Sequence, residues 1–142
     1  MKTGENGTIY HIAIAVNNLK ESERLYKKVI GLKVTHRETV EDQGVKAVML
    51  MPESKQGTAI ELLEPLNSDS PISKFIEKKG EGIHHICFFV DNLESSLKVL
   101  KDEGMKLIDE KPRIGADNMK VAFVHPKSFN GVLIELAEIK KG

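Results

Sequence analysis

The amino-acid sequence predicts an α+β fold built from two tandem βαβββ modules. The chain repeats itself: HIAIAVNNL, which begins at His11, matches HICFFVDNL, which begins at His85. In the same way, TAIELLE around Glu61 matches VLIELAE around Glu135. Both matches have an offset of 74 residues. A fixed offset of this kind is the signature of an internal structural repeat.

The first module is predicted from local patterns between residues 9 and 64. The β-branched, apolar residues 9–16 are typical of a buried strand. Asn18 can cap a following helix, and Gly31 can end it. The predicted apolar side of this helix consists of Leu19, Leu25, Tyr26 and Val29. Three further strands are predicted at residues 32–38, 45–51 and 58–64.

The second module, at about residues 83–138, repeats this order. A strand at residues 83–90 precedes a helix that begins at Asn92 and ends at Gly104. The helix buries Leu93, Leu97 and Leu100. The remaining strands are predicted at residues 105–109, 119–125 and 132–138.

A linker at about residues 67–80 connects the modules. Ser70 and Pro71 suit the start of a short helix, whose apolar side is Ile72, Phe75 and Ile76. A four-stranded sheet with one helix leaves its other face exposed, so the two modules are expected to cover each other. We therefore predict one domain over residues 1–142.

Composition excludes several classes of function. The 21 basic and 21 acidic side chains cancel, so no global field recruits nucleic acid or an anionic membrane. A single cysteine rules out an internal disulfide, and no apolar run approaches membrane-spanning length. The N-terminal sequence MKTGENGTIY lacks the pattern of a secretion signal. We expect a cytoplasmic location.

Four polar side chains are predicted to lie mid-strand among apolar neighbours. Alternate residues of a strand share a face, so His11 faces the same side as Ala13 and Ala15. The same argument places His85, Glu61 and Glu135 on the inner sides of their strands. Burial of an unpaired carboxylate is costly, whereas a divalent first-row metal accepts imidazole and carboxylate ligands. These four residues are therefore candidate metal ligands, and the alternative is that each His–Glu pair is a buried ion pair.

The remaining histidines and the cysteine are not predicted to be ligands. His84 adjoins His85, but strand alternation directs it to the opposite face. His36 and His125 fall outside the repeated positions. Cys87 is interpreted as a small buried hydrophobic residue.

These motifs resemble the vicinal-oxygen-chelate superfamily and, within it, the methylmalonyl-CoA epimerase family. The resemblance extends from His11 to Glu138, and its more specific segments are ELLEPLNSDSPISKF, GIHHI and KPRIGADNMKVAFVHPKSFNGVLIEL. It implies a cup-shaped mixed sheet around one metal site, with His11, Glu61, His85 and Glu135 as ligands. The family also uses Gln at the position of Glu61. A glutamate proposed as a base in some epimerases aligns near Ala47, which cannot carry a proton.

The resemblance implies interconversion of (2R)- and (2S)-methylmalonyl-CoA through an enolate. Glu135 is the first candidate for proton transfer and Glu61 the second, while the identity of one base stays open. The implied cofactor is a divalent ion, Co2+ first, with Mn2+, Ni2+ or Zn2+ as alternatives. Lactoylglutathione lyase activity and non-catalytic binding of a small molecule are the alternative functions. An iron dioxygenase is disfavoured because its site uses two histidines and one carboxylate.

The implied partners are an acyl-CoA substrate and a second copy of the chain in a homodimer. Because net charge is zero, CoA phosphates need a local cluster of cations. Lys111, Arg113 and Lys127, in loops flanking the last strands, are candidates for it. Met49, Met51 and Phe89 are candidates for an apolar cavity wall.

Overall fold

The computed structural model describes residues 5–140, which divide into two compact units. The first unit is His11–His84, and the second joins the segment that ends at Tyr10 to the chain from His85 onward. Residues 1–4 and 141–142 of the predicted domain lie outside the described residues. Each repeat follows the predicted βαβββ order, which confirms the tandem modules.

The two modules have the same order of strands and helices, and a helical linker joins them. The first module consists of β1 (Ile9–Ala15), α1 (Leu19–Leu25), a π-helical turn (Tyr26–Ile30), β2 (Lys33–Val40), a 3-10 turn (Glu41–Gln43), β3 (Val45–Met51) and β4 (Ala59–Pro65). The linker forms α2 (Pro71–Lys79). The second module consists of β5 (Gly82–Val90), α3 (Leu93–Asp102), β6 (Arg113–Ile114), a 3-10 turn (Ala116–Asn118), β7 (Lys120–Val124), a 3-10 turn (Pro126–Phe129) and β8 (Ile134–Glu138).

The strands of the first module pair in the order β2-β3-β4-β1, with β1 and β4 parallel and the other pairs antiparallel. We call the side that packs against α1 the α1 face; its buried residues are Val16, Val48, Leu50 and Leu62. We call the opposite side the His11 face; its buried apolar residues are Ala13, Ala15, Val45, Ala47 and Leu63. Ile72 of α2 packs against the His11 face.

The strands of the second module pair in the order β5-β8-β7-β6, again with one parallel pair, β5 and β8. One face packs against Leu93 and Leu97 of α3. The opposite face, called the His85 face, carries Cys87, Phe89, Val121 and Ala137. The Tyr10 ring stacks on the Phe89 ring with centroids 4.5 Å apart, which holds the start of β1 against this module.

The predicted caps are present. The side chains of Asn18 and Asn92 accept hydrogen bonds from the backbone N–H groups of Glu21 and Ser95, at 3.0 and 2.9 Å. Ser70 caps α2 in the same way. Gly31 and Gly104 have φ values of 84° and 75°, a conformation that glycine adopts without the steric cost of a Cβ.

The predicted apolar side of α1 is wrong in part. Leu19 and Tyr26 pack on the α1 face, but Leu25 and Val29 are 47% and 74% exposed. The α-helix ends at Leu25, and the π-helical turn that follows changes the angular spacing of the side chains. A pattern with a constant period of 3.6 residues therefore misplaces residues beyond this point.

The predicted strand at residues 105–109 is also wrong. Only Leu107 forms an isolated bridge, with Val124, and the strand next to β7 is Arg113–Ile114 instead. The Asp109 carboxylate accepts the backbone N–H of Phe123 on β7 at 2.8 Å. A side chain therefore accepts the hydrogen bond that the backbone of the predicted strand was expected to accept. None of the helices in residues 5–140 has the length and apolar character needed to cross a membrane.

Candidate metal and proton-transfer site

The first unit contains a buried His–Glu pair on the adjacent strands β1 and β4. His11 on β1 and Glu61 on β4 are 4% and 5% exposed. Parallel pairing aligns Ala13 with Glu61, so His11 is a diagonal neighbour of Glu61 on the same face. His11 Nε2 lies 3.2 Å from Glu61 Oε1. Ala13 and Ala59, which flank this pair on the same face, are fully buried.

The second unit contains the equivalent pair. His85 on β5 and Glu135 on β8 are both buried. Cys87 pairs with Glu135 in the parallel register, and His85 Nε2 lies 3.0 Å from Glu135 Oε1. The Phe123 ring contacts the His85 ring edge-on, with centroids 5.2 Å apart. The repeat therefore places the same donor atoms at the same point of both sheets.

The donor set fits a divalent first-row metal. In each pair, an imidazole nitrogen and a carboxylate oxygen converge at hydrogen-bond distance in a buried position. Neutral imidazole and carboxylate are ligands that such ions accept. The ion-pair alternative requires desolvation of both charged partners in each pair, which costs several kcal/mol per ion. Metal binding would offset this cost in both units.

His84, His125 and Cys87 lie in surroundings different from those of the two pairs. His84 makes an edge contact with the Phe75 ring of α2, with centroids 4.9 Å apart. His125 Nδ1 accepts the N–H of Lys127 at 3.0 Å. Partial burial and then the charges of Lys106 and Lys127 lower the pKa of His125. Cys87 is fully buried.

The three predicted phosphate contacts have different surroundings. Arg113 lies on the His85 face, because it pairs with Val121. Its guanidinium carbon is 5.4 Å from the centroid of the Phe123 ring, and its Nε is 3.4 Å from Asp109. Lys111 instead lines a surface groove beside α3. Lys127 is exposed in the turn Pro126–Phe129, so Arg113 has the position best suited to contact a ligand of this face.

A third His–Glu pair lies on the His11 face and was missed in the sequence. His36 Nε2 is 2.6 Å from Glu38 Oε1 on β2. Glu38 pairs with Ala47, and His36 pairs with Met49, which in turn pairs with Glu61. Alternation could have shown that His36 and Glu38 share a face. It could not show which face, because β2 carries an irregularity at Thr35.

The paired βαβββ modules, each with a buried histidine and carboxylate at equivalent strand positions, define the vicinal-oxygen-chelate class of domains. A family model described as the Glyoxalase/Bleomycin resistance protein/Dioxygenase superfamily matches residues 10–123. The chain belongs to this superfamily.

Its relatives include methylmalonyl-CoA epimerases. The mitochondrial methylmalonyl-CoA epimerase of Dictyostelium discoideum is 45% identical over 133 residues, which cover 93% of this chain and 78% of that protein. A hypothetical protein from Bacillus halodurans C-125 is 40% identical, with a TM-score of 0.90 over 97% of this chain and 98% of its own. A methylmalonyl-CoA epimerase in complex with methylmalonyl-CoA and NH4+ is 34% identical, with a TM-score of 0.87 over 94% and 95%. These matches confirm the predicted fold class.

Proposed function

We propose that the chain is a metal-dependent isomerase that interconverts (2R)- and (2S)-methylmalonyl-CoA. The observation that carries the proposal is the buried His–Glu pair at equivalent positions of both modules. The similarity to methylmalonyl-CoA epimerases supports it, since it extends over both modules at 45% identity in one relative. One solved relative also holds methylmalonyl-CoA, which supports a CoA ester as the substrate.

Four residues would hold the metal: His11, Glu61, His85 and Glu135. Co2+ is our first choice of ion, with Mn2+, Ni2+ or Zn2+ as alternatives, because all accept nitrogen and oxygen ligands. When bound, a divalent cation supplies positive charge that stabilises the negative charge developing on the substrate oxygens. The apolar residues around each pair, among them Ala13, Met49 and Phe123, limit access of water to these side chains.

Proton transfer is assigned first to Glu135. Epimerisation requires removal of a weakly acidic proton from carbon 2 and its return on the opposite face, so two proton carriers are needed. Glu135 supplies a carboxylate at the centre of its sheet, among apolar neighbours. Glu61 is the second candidate for proton transfer. Arg113 is the first choice for contact with the anionic substrate, and Lys111 and Lys127 are the others.

Proton NMR in deuterated water tests the proposed activity directly. Each epimer of methylmalonyl-CoA is incubated with the protein, either loaded with Co2+ or stripped by a chelator. We expect metal-dependent loss of the carbon-2 proton signal and interconversion, detected with a stereospecific mutase. Turnover of the glutathione hemithioacetal of methylglyoxal without exchange of the CoA ester would instead assign the glyoxalase reaction. If neither exchange of the CoA ester nor turnover of the hemithioacetal is seen with any ion tried, the proposal that the chain is an isomerase is contradicted.

Glu135→Gln is the first variant for this assay. We expect it to lose turnover, because an amide cannot accept or donate the carbon-2 proton. The matched control is Glu53→Gln, because Glu53 is an exposed residue of the loop between β3 and β4. Near-normal turnover by Glu135→Gln with metal bound would remove Glu135 from the mechanism.

The homodimer remains a prediction, which the mass of the protein in solution would test.

A further inference from the structure

We infer that Asp109 is a positioning residue of the epimerase. It holds Phe123 against the candidate ligand His85, and it holds the Arg113 guanidinium ready for an anionic group of the substrate. This inference rests on the proposed function and deepens it, because it explains how Arg113 is kept available to a ligand. All four residues belong to the second unit, and the contacts that join them lie within that unit.

Asp109 binds Phe123 of β7 at both of its backbone groups. The Asp109 backbone N–H donates to the Phe123 carbonyl at 3.1 Å, and the Asp109 carboxylate accepts the Phe123 N–H at 2.8 Å. Between two paired strands, the second of these hydrogen bonds would go to a backbone carbonyl, which carries no net charge. The segment before β6 therefore places a negative charge beside β7, which backbone pairing alone does not require.

The same carboxylate holds Arg113. Asp109 Oδ2, the atom that accepts the Phe123 N–H, also lies 3.4 Å from Arg113 Nε. The guanidinium carbon of Arg113 lies 5.4 Å from the centroid of the Phe123 ring, which is within the range of a cation–π contact. Asp109 thus fixes both the ring and the cation that lies over it.

Arg113 keeps two nitrogens for a ligand. Its side chain is 42% exposed, and its two terminal nitrogens make no hydrogen bond with another group in residues 5–140. A planar guanidinium with both terminal nitrogens available binds two oxygens of one carboxylate or phosphate side by side. Arg113 therefore has the geometry for bidentate recognition of such an anion.

Phe123 connects Arg113 to the candidate ligands. The Phe123 ring contacts the His85 ring edge-on, with centroids 5.2 Å apart, and Phe123 itself is buried. Phe123 also lies directly opposite Glu135 in the pairing of β7 with β8. Because one ring contacts both the imidazole and the guanidinium, a displacement of Phe123 would change the surroundings of both.

Steady-state kinetics of the Co2+-loaded enzyme test the contact with the substrate. We expect Arg113→Met to raise KM for methylmalonyl-CoA by about 10- to 100-fold with kcat nearly unchanged, the usual effect of losing hydrogen bonds to a charged group. Asp109→Asn keeps an oxygen for the Phe123 N–H but removes the charge beside Arg113, so KM should rise by about 3- to 5-fold. Glu110→Gln, the same change at the exposed neighbouring residue, is the matched control and should keep the wild-type KM.

A double variant separates positioning from a merely structural role. In Asp109→Asn/Arg113→Met, KM should be no higher than in Arg113→Met alone, because Asp109 acts on the substrate through Arg113. Two independent effects on KM would instead multiply.

Methylmalonyl-pantetheine identifies the anion that Arg113 binds. This ester keeps the carboxylate of methylmalonyl-CoA and lacks its phosphates. If Arg113→Met raises KM for the CoA ester alone, the anion is a phosphate of CoA. If it raises KM equally for both esters, the anion is the carboxylate. Either result supports the contact with Arg113, and an unchanged KM for both esters contradicts it.

Co2+ binding to the metal-free protein tests the contact with His85 without turnover. Asp109→Ala removes the acceptor of the Phe123 N–H as well as the charge. We expect its Co2+ affinity to fall by about 10-fold, as for other residues that support metal ligands. Asp109→Asn should keep the wild-type affinity, because its amide oxygen can accept the same N–H. Calorimetric titration measures the affinity, and thermal unfolding verifies that each variant is folded.

The outcomes separate this inference from the proposed function. A wild-type KM in folded Asp109→Asn, or multiplied effects in the double variant, overturns the action of Asp109 on Arg113. Equal Co2+ affinity of Asp109→Ala and the wild type overturns its action on His85. If the wild-type enzyme exchanges neither epimer, the proposed function fails. Loss of Co2+ affinity in Asp109→Ala and its recovery in Asp109→Asn would still support Asp109 as a positioning residue.

Discussion

Glu64 and Glu138 make the same hydrogen bond in the two modules. Glu64 Oε1 accepts the backbone N–H of Leu19 at 2.9 Å, and Glu138 Oε1 accepts the backbone N–H of Leu93 at 3.0 Å. Each carboxylate thus reaches from the end of a strand to the first residue of the helix that packs on its sheet. The first N–H groups of a helix have no partner within it, and a negative charge is favourable there. The repeated sequences ELLE and ELAE therefore carry one candidate ligand and one helix anchor each.

Removal of these anchors should destabilise the fold without loss of metal. We expect Glu64→Ala and Glu138→Ala each to lower the free energy of unfolding by about 1–2 kcal/mol, which is the range for loss of a helix cap. Glu138→Gln should lower it less, because the amide oxygen still accepts the Leu93 N–H. Urea unfolding measures the change, with the exposed Glu53→Ala as control. Equal stability of Glu138→Ala and the wild type would show that this anchor is not needed.

The ligand carboxylates should behave in the opposite way. We expect Glu135→Gln to weaken Co2+ binding by at least about 10-fold, since even supporting residues of metal sites contribute that much. Glu61→Gln should weaken it less, because the family that the chain resembles also uses Gln at this position. The stability of the metal-free protein should change little, since neutralising a buried carboxylate removes a desolvation cost. Calorimetric titration and urea unfolding test both statements, and unchanged Co2+ affinity in Glu135→Gln contradicts its assignment as a ligand.

Metal should stabilise the folded protein in proportion to the logarithm of its concentration. A ligand that binds only the folded state adds about 2.7 kcal/mol when its concentration is 100 times its Kd. We expect Tm to rise on addition of Co2+ and to fall again with a chelator. The variant His11→Ala/His85→Ala, which lacks both imidazoles, should show no rise. A similar rise in this variant would place the ion elsewhere.

The ion pair between Glu23 and Arg37 should contribute to stability in a pH-dependent way. The two terminal guanidinium nitrogens of Arg37 donate to the largely buried carboxylate of Glu23, at 2.5 and 2.6 Å. This hydrogen bonding lowers the pKa of Glu23 below 4.5. A lowered folded-state pKa gives stability that is complete above the unfolded value and is lost as pH falls through the folded value. We expect Arg37→Met to reduce the free energy of unfolding by about 1–2 kcal/mol at neutral pH.

The control for this pair is the variant Glu23→Gln/Arg37→Met, measured from pH 7 down to pH 3. The difference in stability between it and the wild type should shrink below the ordinary glutamate value of 4.5. A difference that stays constant over this range would show that the ion pair does not contribute.

Much of the fold follows from sequence because the repeat supplies each expectation twice. Local signals predict the helix caps and the first strands: the caps Asn18 and Asn92, the linker helix after Ser70, and strands β1, β2 and β3. The predicted strand at residues 105–109 failed because the Asp109 side chain, and not a strand, takes the N–H of Phe123. A contact of this kind depends on where the chain returns, which no local pattern records.

The candidate ligands could be chosen from sequence because strand alternation and the repeat both point to the same four positions. The anchors Glu64 and Glu138 could also have been found, since each lies an odd number of residues from a candidate ligand and so on the opposite face. The orientation of Glu38 could not have been found from the sequence, because the direction of its side chain depends on the irregularity at Thr35.

The sequence by itself determined the tandem βαβββ order and the four mid-strand donors, since periodicity and repetition are properties of the chain alone. Tertiary structure decided which face β2 presents, where α1 gives way to a π-helical turn, and which carboxylates hold the helices. These features arise from packing between segments far apart in the chain. A single extra residue in a strand reverses the direction of every side chain that follows it, and only the pairing with the neighbouring strand reveals where it lies.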